Sequence, residues 1–363
     1  MALMTDKDAD TSCMTATTPP DSTATPAQLT LGRINSGMDA NRMPMVGQIL
    51  RIIGDISGNA ERMSVGDLVE FINAEPTIVG RIVTIASSVS YNTGNIEINS
   101  IHHAVSLIGF DQVRTLAISI LLLEGAHSEG VAQTNRELAA TSLIGGLVAA
   151  EICRHTGPSN RDMAFICGAL RNYGRMLAAT FMPDEYAATL PSGRSDTGES
   201  FRSVFALTPL ELGREIMRGR LLPKSILNTL VAQSPQDRRH CCATATGALT
   251  GAADFGLRFA ELLQDAGLSK SNFERRIEGL SREYDEEFHL SRPDVRELLE
   301  QLVSVLACFH SRAGSYAGSV SMFRRVESLA AEHLLPVAFE MAARPVAPRP
   351  PAPMAESSDA YEI

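Results

Sequence analysis

The chain has no tryptophan, and aromatic residues make up only 5% of its 363 positions. β-Sandwiches and barrels draw on aromatic and β-branched side chains. Here the 44% hydrophobic share is carried mainly by Ala, Leu, Ile, Val and Met, a palette that favours packed helices. An excess of positive charge is also missing. With 32 Lys and Arg against 42 Asp and Glu, the net charge of -10 argues against direct nucleic-acid binding, because phosphate neutralisation supplies most of that affinity. Nor is there an apolar run of the ~18 residues that membrane insertion requires, since Leu116 to Leu123 stops at Glu124. Met1 to Asp10 carries three Asp and a Lys in place of the apolar centre of a secretory signal, so a cytoplasmic location is expected.

Signatures of catalysis are scarce as well. The six cysteines (Cys13, Cys153, Cys167, Cys241, Cys242, Cys308) show no C-x-x-C spacing and read as reduced thiols. Adjacent Cys241 and Cys242 leave a redox pair as the alternative. None of the eight histidines stands four residues from another, as a helical metal pair would need, and the one cluster, His102-His103, suits surface or capping roles. Gly145-Gly146 lacks the strand and the Lys-Ser/Thr of a phosphate loop, and its glycines suit close helix packing instead. No G-x-S-x-G elbow occurs.

What remains is a helical period almost throughout. Residues 1–29, rich in Thr, Ser, Pro and Asp, read as a disordered leader, and residues 343–363 as a Pro-rich, then acidic tail. Between them Val46, Ile49, Leu50 and Ile53 form a first stripe after Pro44, and Ser64 opens a second helix. The break at Glu75-Pro76 precedes an apolar helix through Ile78, Ile82 and Ile85. Ser100 caps a short helix ended by Gly109, and Asp111 opens the most apolar one, Val113 to Leu123. Further helices are expected near 134–156, 160–170, 172–181 and 199–206. Thr208-Pro209-Leu210-Glu211 combines an N-cap, a Pro at the first helical position and the reciprocal Glu, and is the clearest helix start in the chain.

Pro223 opens a helix expected to reach Gln233, and Ser234-Pro235-Gln236-Asp237 reads as a linker at a domain boundary. Residues 238–340 should give three or four helices in a hairpin or bundle. Phe255, Phe259, Leu262 and Leu263 share one apolar face; Leu298, Leu302, Val305, Leu306 and Phe309 share another. The mixed charges from Glu274 to Glu287 read as a solvated face.

Residues 43–123 combine Met43-Pro44-Met45-Val46, Glu75-Pro76, Ala86-Ser87-Ser88 with Tyr91, Ser100-Ile101, Ala104-Val105, Leu107-Ile108-Gly109 and Val113-Arg114-Thr115-Leu116. Together these spacings resemble an HDOD domain. Downstream, Gly168-Ala169-Leu170-Arg171-Asn172-Tyr173-Gly174-Arg175 is similar to the family's Gly-Leu-Leu-His-Asp-x-Gly-Arg stretch. The resemblance covers about 35–234. It implies an all-α fold of two packed helical lobes, followed here by the helices of 238–340. HDOD domains are relatives of the HD metal-dependent phosphohydrolases and generally occur as non-catalytic parts of bacterial signalling proteins.

Several positions depart from the HD pattern. Arg171 stands where the ligand His would be and Asn172 where the ligand Asp would be; Thr141 occupies a usual His position and Pro209 a later one. Ser87 stands where Asn is common. A divalent ion needs neutral imidazoles and carboxylates with free lone pairs, and a guanidinium has neither a lone pair nor a neutral state. HD-type hydrolysis is therefore not expected, and no metal or cofactor is implied. The leading expectation is a regulatory module acting through protein contacts, with a signalling protein partner or a second copy of the chain, its C-terminal helices supplying the surface. The alternative is a nucleotide second-messenger sensor in which Arg171, Asn172, Arg175 and Thr141 line a relic pocket. Against that stands Arg171 as a bridge between helices, its stem packed.

Overall fold

In the computed structural model, the described residues are 24–39, 64–73, 76–87, 94, 96–125, 132–156, 161–190, 198–219, 224–241, 244–265, 269–290, 294–295, 297–302, 322–326 and 328. Every regular element among them is a helix. The 46–53 stripe, Tyr91, the leader to residue 23, the tail from 343, Val305 to Phe309, and the Cys13, Cys242 and Cys308 positions lie outside these residues.

The helices run α1 (Pro26–Asp39), α2 (Val65–Asn73), α3 (Pro76–Ala86), α4 (Ile101–Ile108), α5 (Phe110–Gly125), α6 (Ala132–Thr156), α7 (Arg161–Leu170) and α8 (Tyr173–Phe181). Then follow α9 (Pro183–Ala188), α10 (Gly198–Phe205), α11 (Pro209–Arg218), α12 (Lys224–Leu227), α13 (Pro235–Cys241), α14 (Ala245–Gln264), α15 (Lys270–Glu283) and α16 (Asp285–Phe288). Helices α2 to α5 pack on one another, and α5 carries that group onto α6 and α7. Ser100 caps α4 by accepting from the His103 amide at 3.2 Å, and Gly109 ends it in a positive-φ turn that suits glycine.

Helix α6 is the axis of the molecule. Helices α5, α7, α8 and α14 all lie against it, and its Leu143, Ile144, Val148 and Ile152 are fully buried. Backbones meet here at a point of small residues. A Cβ on Gly168 of α7 would stand 2.7 Å from the Gly145 carbonyl oxygen, and one on Gly256 of α14 would collide with the same oxygen. Only glycine at 168 and 256 permits that double approach, and of the Gly145-Gly146 pair it is Gly146, whose Cβ would stand 2.8 Å from the Phe165 carbonyl oxygen, that has the expected packing role.

Three departures from the sequence expectations stand out, two of them set by local caps and the third by a distant cation. Helix α1 starts at Pro26, inside the stretch read as leader, because Thr25 and Gln28 bond reciprocally (Thr25 N–H to Gln28 Oε1, 2.8 Å). Its Ile34 is buried, and Thr30 donates to the Phe205 carbonyl of α10 at 3.1 Å. Ser234 to Asp237, read as a linker, is the start of α13: the Asp237 amide donates to Ser234 Oγ at 3.1 Å and the Ser234 amide to Asp237 Oδ2 at 3.0 Å. The helix expected from Pro223 to Gln233 is one turn, α12, because the carbonyls of Thr229 and Val231 are drawn to Arg171 instead of to a continuing helix. The capping box at Thr208 and Glu211 forms as expected.

Beyond α13, α14 does not stand apart. It packs along α6 and α7 and buries Ala252, Phe255, Phe259, Ala260 and Leu263. Helix α15 folds back on α14, with the Phe259 and Phe273 rings edge to face at 6.3 Å. Arg275, Arg276 and Arg282 face solvent as expected. Tyr284 and the Glu287 carboxylate, at the end of the same charged run, are instead drawn inside.

Candidate functional site

The turn between α7 and α8 presents Arg171 and Asn172, the pair expected to stand in place of HD ligands, and both are buried, at 3% and 1% exposure. A guanidinium taken from water must find acceptors for its donors. Arg171 finds three acceptor residues on two segments. Its Nε donates to Asp254 Oδ1 at 3.0 Å, Nη1 to the Thr229 carbonyl at 2.9 Å, and Nη2 to the Val231 carbonyl at 3.1 Å and to Asp254 Oδ1 at 2.5 Å. All three nitrogens are committed.

The other candidate residues are engaged in the same seam. Asn172 donates to the Leu138 carbonyl at 3.1 Å and accepts from Arg175 at 3.2 Å. Arg175 also faces Glu261 at 3.4 Å. Thr141, 2% exposed, donates to the Glu137 carbonyl at 2.8 Å and accepts from the Gln264 amide. Pro209, at the first position of α11, is buried, and its carbonyl lies against Gly174 of α8. Ser87 folds its hydroxyl back on Val83 of its own helix at 2.7 Å. The four residues expected to line a relic pocket are thus brought together, and what lies over them is α14.

One face of α14 supplies Asp254, Glu261 and Gln264, which the sequence reading did not single out. A signal existed: Asp254, Arg258 and Glu261 are the charged residues of an otherwise apolar helix, at i, i+4 and i+7, on one side. Asp254 faces both ways. Its Oδ1 meets Arg171, while Oδ2 accepts from the Tyr284 hydroxyl and stands 4.0 Å from Arg238. Arg238 lies over the Tyr284 ring at 4.3 Å and reaches Glu287 at 3.3 Å. Burial works against the Asp254 charge, but the Arg171 cation and the Tyr284 donor outweigh it and hold the carboxyl below its ordinary range. Burial and the neighbouring carboxylate push the Tyr284 phenol up, so it stays a donor.

The arrangement does not fit a divalent ion. The Arg171 guanidinium would repel a dication, and its partner carboxylate, Asp254, is already spent on neutralising it. Among the described residues no three His, Cys, Asp or Glu side chains gather as a metal site. Cys153 and Cys167, on α6 and α7, are buried free thiols, each pushed up to about 11 by burial, which makes them poor nucleophiles. Among the described residues no helix is long and apolar enough to cross a membrane.

Solved structures share this fold, among them the following two. An HDOD domain protein with unknown function from Geobacter sulfurreducens is 17% identical, with a TM-score of 0.54 over 83% of this chain and 98% of its own. A protein from Shewanella amazonensis SB2B that carries a phosphohydrolase name is also 17% identical, with a TM-score of 0.50 over 77% of this chain and 93% of its own. At such identities the likeness speaks for fold alone. Among curated proteins no relative matches. The family model described as the HDOD domain matches residues 43–235, more than half of the sequence and the whole turn that holds Arg171, and the chain belongs to the HDOD family.

Proposed function

We propose that the protein is a non-catalytic regulatory module that acts through protein contacts, its ancestral hydrolytic cleft closed by its own α14. One observation carries this reading: the cation at the former ligand position is buried and spent on Asp254 and two backbone carbonyls. Breaking such a buried pair to admit a metal would leave uncompensated charge, at a cost of roughly 3–5 kcal/mol before any metal bond formed. The family's general place in signalling supports a regulatory role, and helical surfaces outside the cleft are the means of contact.

The nucleotide-sensor alternative needs Arg171 to turn its donors to a phosphate. That would require the same rupture, so it is the weaker reading. Full-length protein purified without chelators tests the proposal. Elemental analysis is expected to give far less than one Mn, Fe, Zn or Mg per chain, with no hydrolysis of phosphomonoesters or phosphodiesters when these metals are added. A stoichiometric metal with turnover that disappears on chelation would overturn it. Thermal shifts across a nucleotide panel should be silent; a shift abolished by Arg171→Ala would restore the sensor.

A further inference from the structure

The family segment ends at residue 235, yet the contacts of Arg171 reach beyond it. The turn after α12 offers the carbonyls of 229 and 231, α14 offers Asp254, and one planar cation binds all of them. Because the guanidinium fork is rigid, a shift of any one partner misaligns the bonds to the others. The contacts continue outward. Asp254 passes to Tyr284 through its second oxygen, Tyr284 to Arg238 of α13 at 3.3 Å and to Arg258 at 3.4 Å, and Arg238 to Glu287 of α16. Arg258 closes the outer end on Glu283 at 2.5 Å. Cations and carboxylates alternate along this line, and Tyr284 is fully buried at its centre.

We propose that Arg171, placed where an HD enzyme would hold its metal ligand, is a coupling residue that links the 226–231 turn of the HDOD segment to the C-terminal helices, so that a displacement of either is felt by the other. This deepens the regulatory reading and rests on it. The former catalytic position becomes the joint by which the state of the helical body reaches α13 to α16. Coupling of this kind is reciprocal. A perturbation at Tyr284 must therefore loosen the turn at 226–231, to which it is joined through Asp254 and Arg171.

Hydrogen-exchange mass spectrometry on the full chain tests this. Tyr284→Phe deletes one hydroxyl and keeps the ring, with its stacking on Phe288 and its edge contact with Phe255. It is expected to raise exchange about tenfold in peptides spanning 226–232 as well as in those spanning 280–288, the scale of one lost charge-assisted hydrogen bond. Peptides of α2 to α5 should not change. Arg171→Lys, which keeps the charge but not the fork, should raise exchange at 226–232 and across 245–290 together. If Tyr284→Phe leaves 226–232 at its wild-type rate, or raises exchange uniformly including α2 to α5, Arg171 is a local brace and the coupling is refuted. Tyr284→Phe settles the matter even if Arg171→Lys does not fold. Loss of the regulatory reading would appear separately, as bound metal and turnover.

Discussion

At the scale of single residues, the energetics turn on Asp254, about one-fifth exposed beside the nearly inaccessible Arg171. Asp254→Asn leaves that guanidinium without its counter-charge, and unfolding by urea should report a loss of about 3 kcal/mol. Glu261→Gln is the contrast, because the Arg175–Glu261 pair is longer and its acid is more than a third exposed; less than about 1 kcal/mol is expected. The pH dependence has a definite sign. A carboxyl held below its ordinary value contributes stability that is complete above the unfolded value of about 3.9 and is lost as the pH falls through the folded value. Melting temperature should therefore fall in acid below about pH 4, and fall less steeply in Asp254→Asn; equal slopes would show that Asp254 carries no such term. Arg171 as a bridge between helices was legible in the sequence. The partner was not, because 83 residues separate Arg171 from Asp254 and no local pattern joins them.

At the scale of elements, the informative comparison is between glycines. On α14, a Cβ added to Gly256 would collide with the Gly145 carbonyl oxygen and crowd the Ala149 amide nitrogen, so the added methyl has nowhere to go. Gly256→Ala should cost at least about 2 kcal/mol by calorimetry, as overpacking of a tight contact does. On α15, Gly279 has nothing within 4 Å of a built Cβ, so Gly279→Ala should raise stability by roughly 0.5–1 kcal/mol through helix propensity. Similar melting temperatures for the two would refute the three-helix contact. Helix boundaries were legible where the cap was recognised. Thr208-Pro-Leu-Glu announces α11, and the same grammar stands in Thr25-Pro-Ala-Gln and Ser234-Pro-Gln-Asp. In these two the surroundings obscure the cap, one at the edge of a polar, Thr- and Pro-rich stretch and the other shortly after a run of turns. The short α12 was beyond reach of any local rule, since a distant cation takes its carbonyls.

At the scale of the molecule, the family segment and the folding unit differ in extent. The likeness to the Geobacter protein spans 83% of the chain, more than residues 43–235 contain, and α14 lies along α6 and α7 with the glycine contact and the Arg171–Asp254 pair in the same seam. A chain ended after residue 235 would expose the α6 surface against which α14 lies at Gly256, and would strand Arg171 in a half-open cleft. Uncovering the faces of α6 and α7 that α14 packs on forfeits several kcal/mol, comparable to the net stability of a typical domain. Expressed alone, residues 24–235 should therefore aggregate, or show helical far-UV dichroism without a cooperative melt, whereas residues 24–302 should melt in one transition. Adding the separate 238–302 segment to the shorter piece should recover part of that cooperativity if the seam described here is the interface. A cooperative, monomeric 24–235 fragment would instead mean that α14 is an accessory to a self-sufficient domain, and that the cleft beneath it can open.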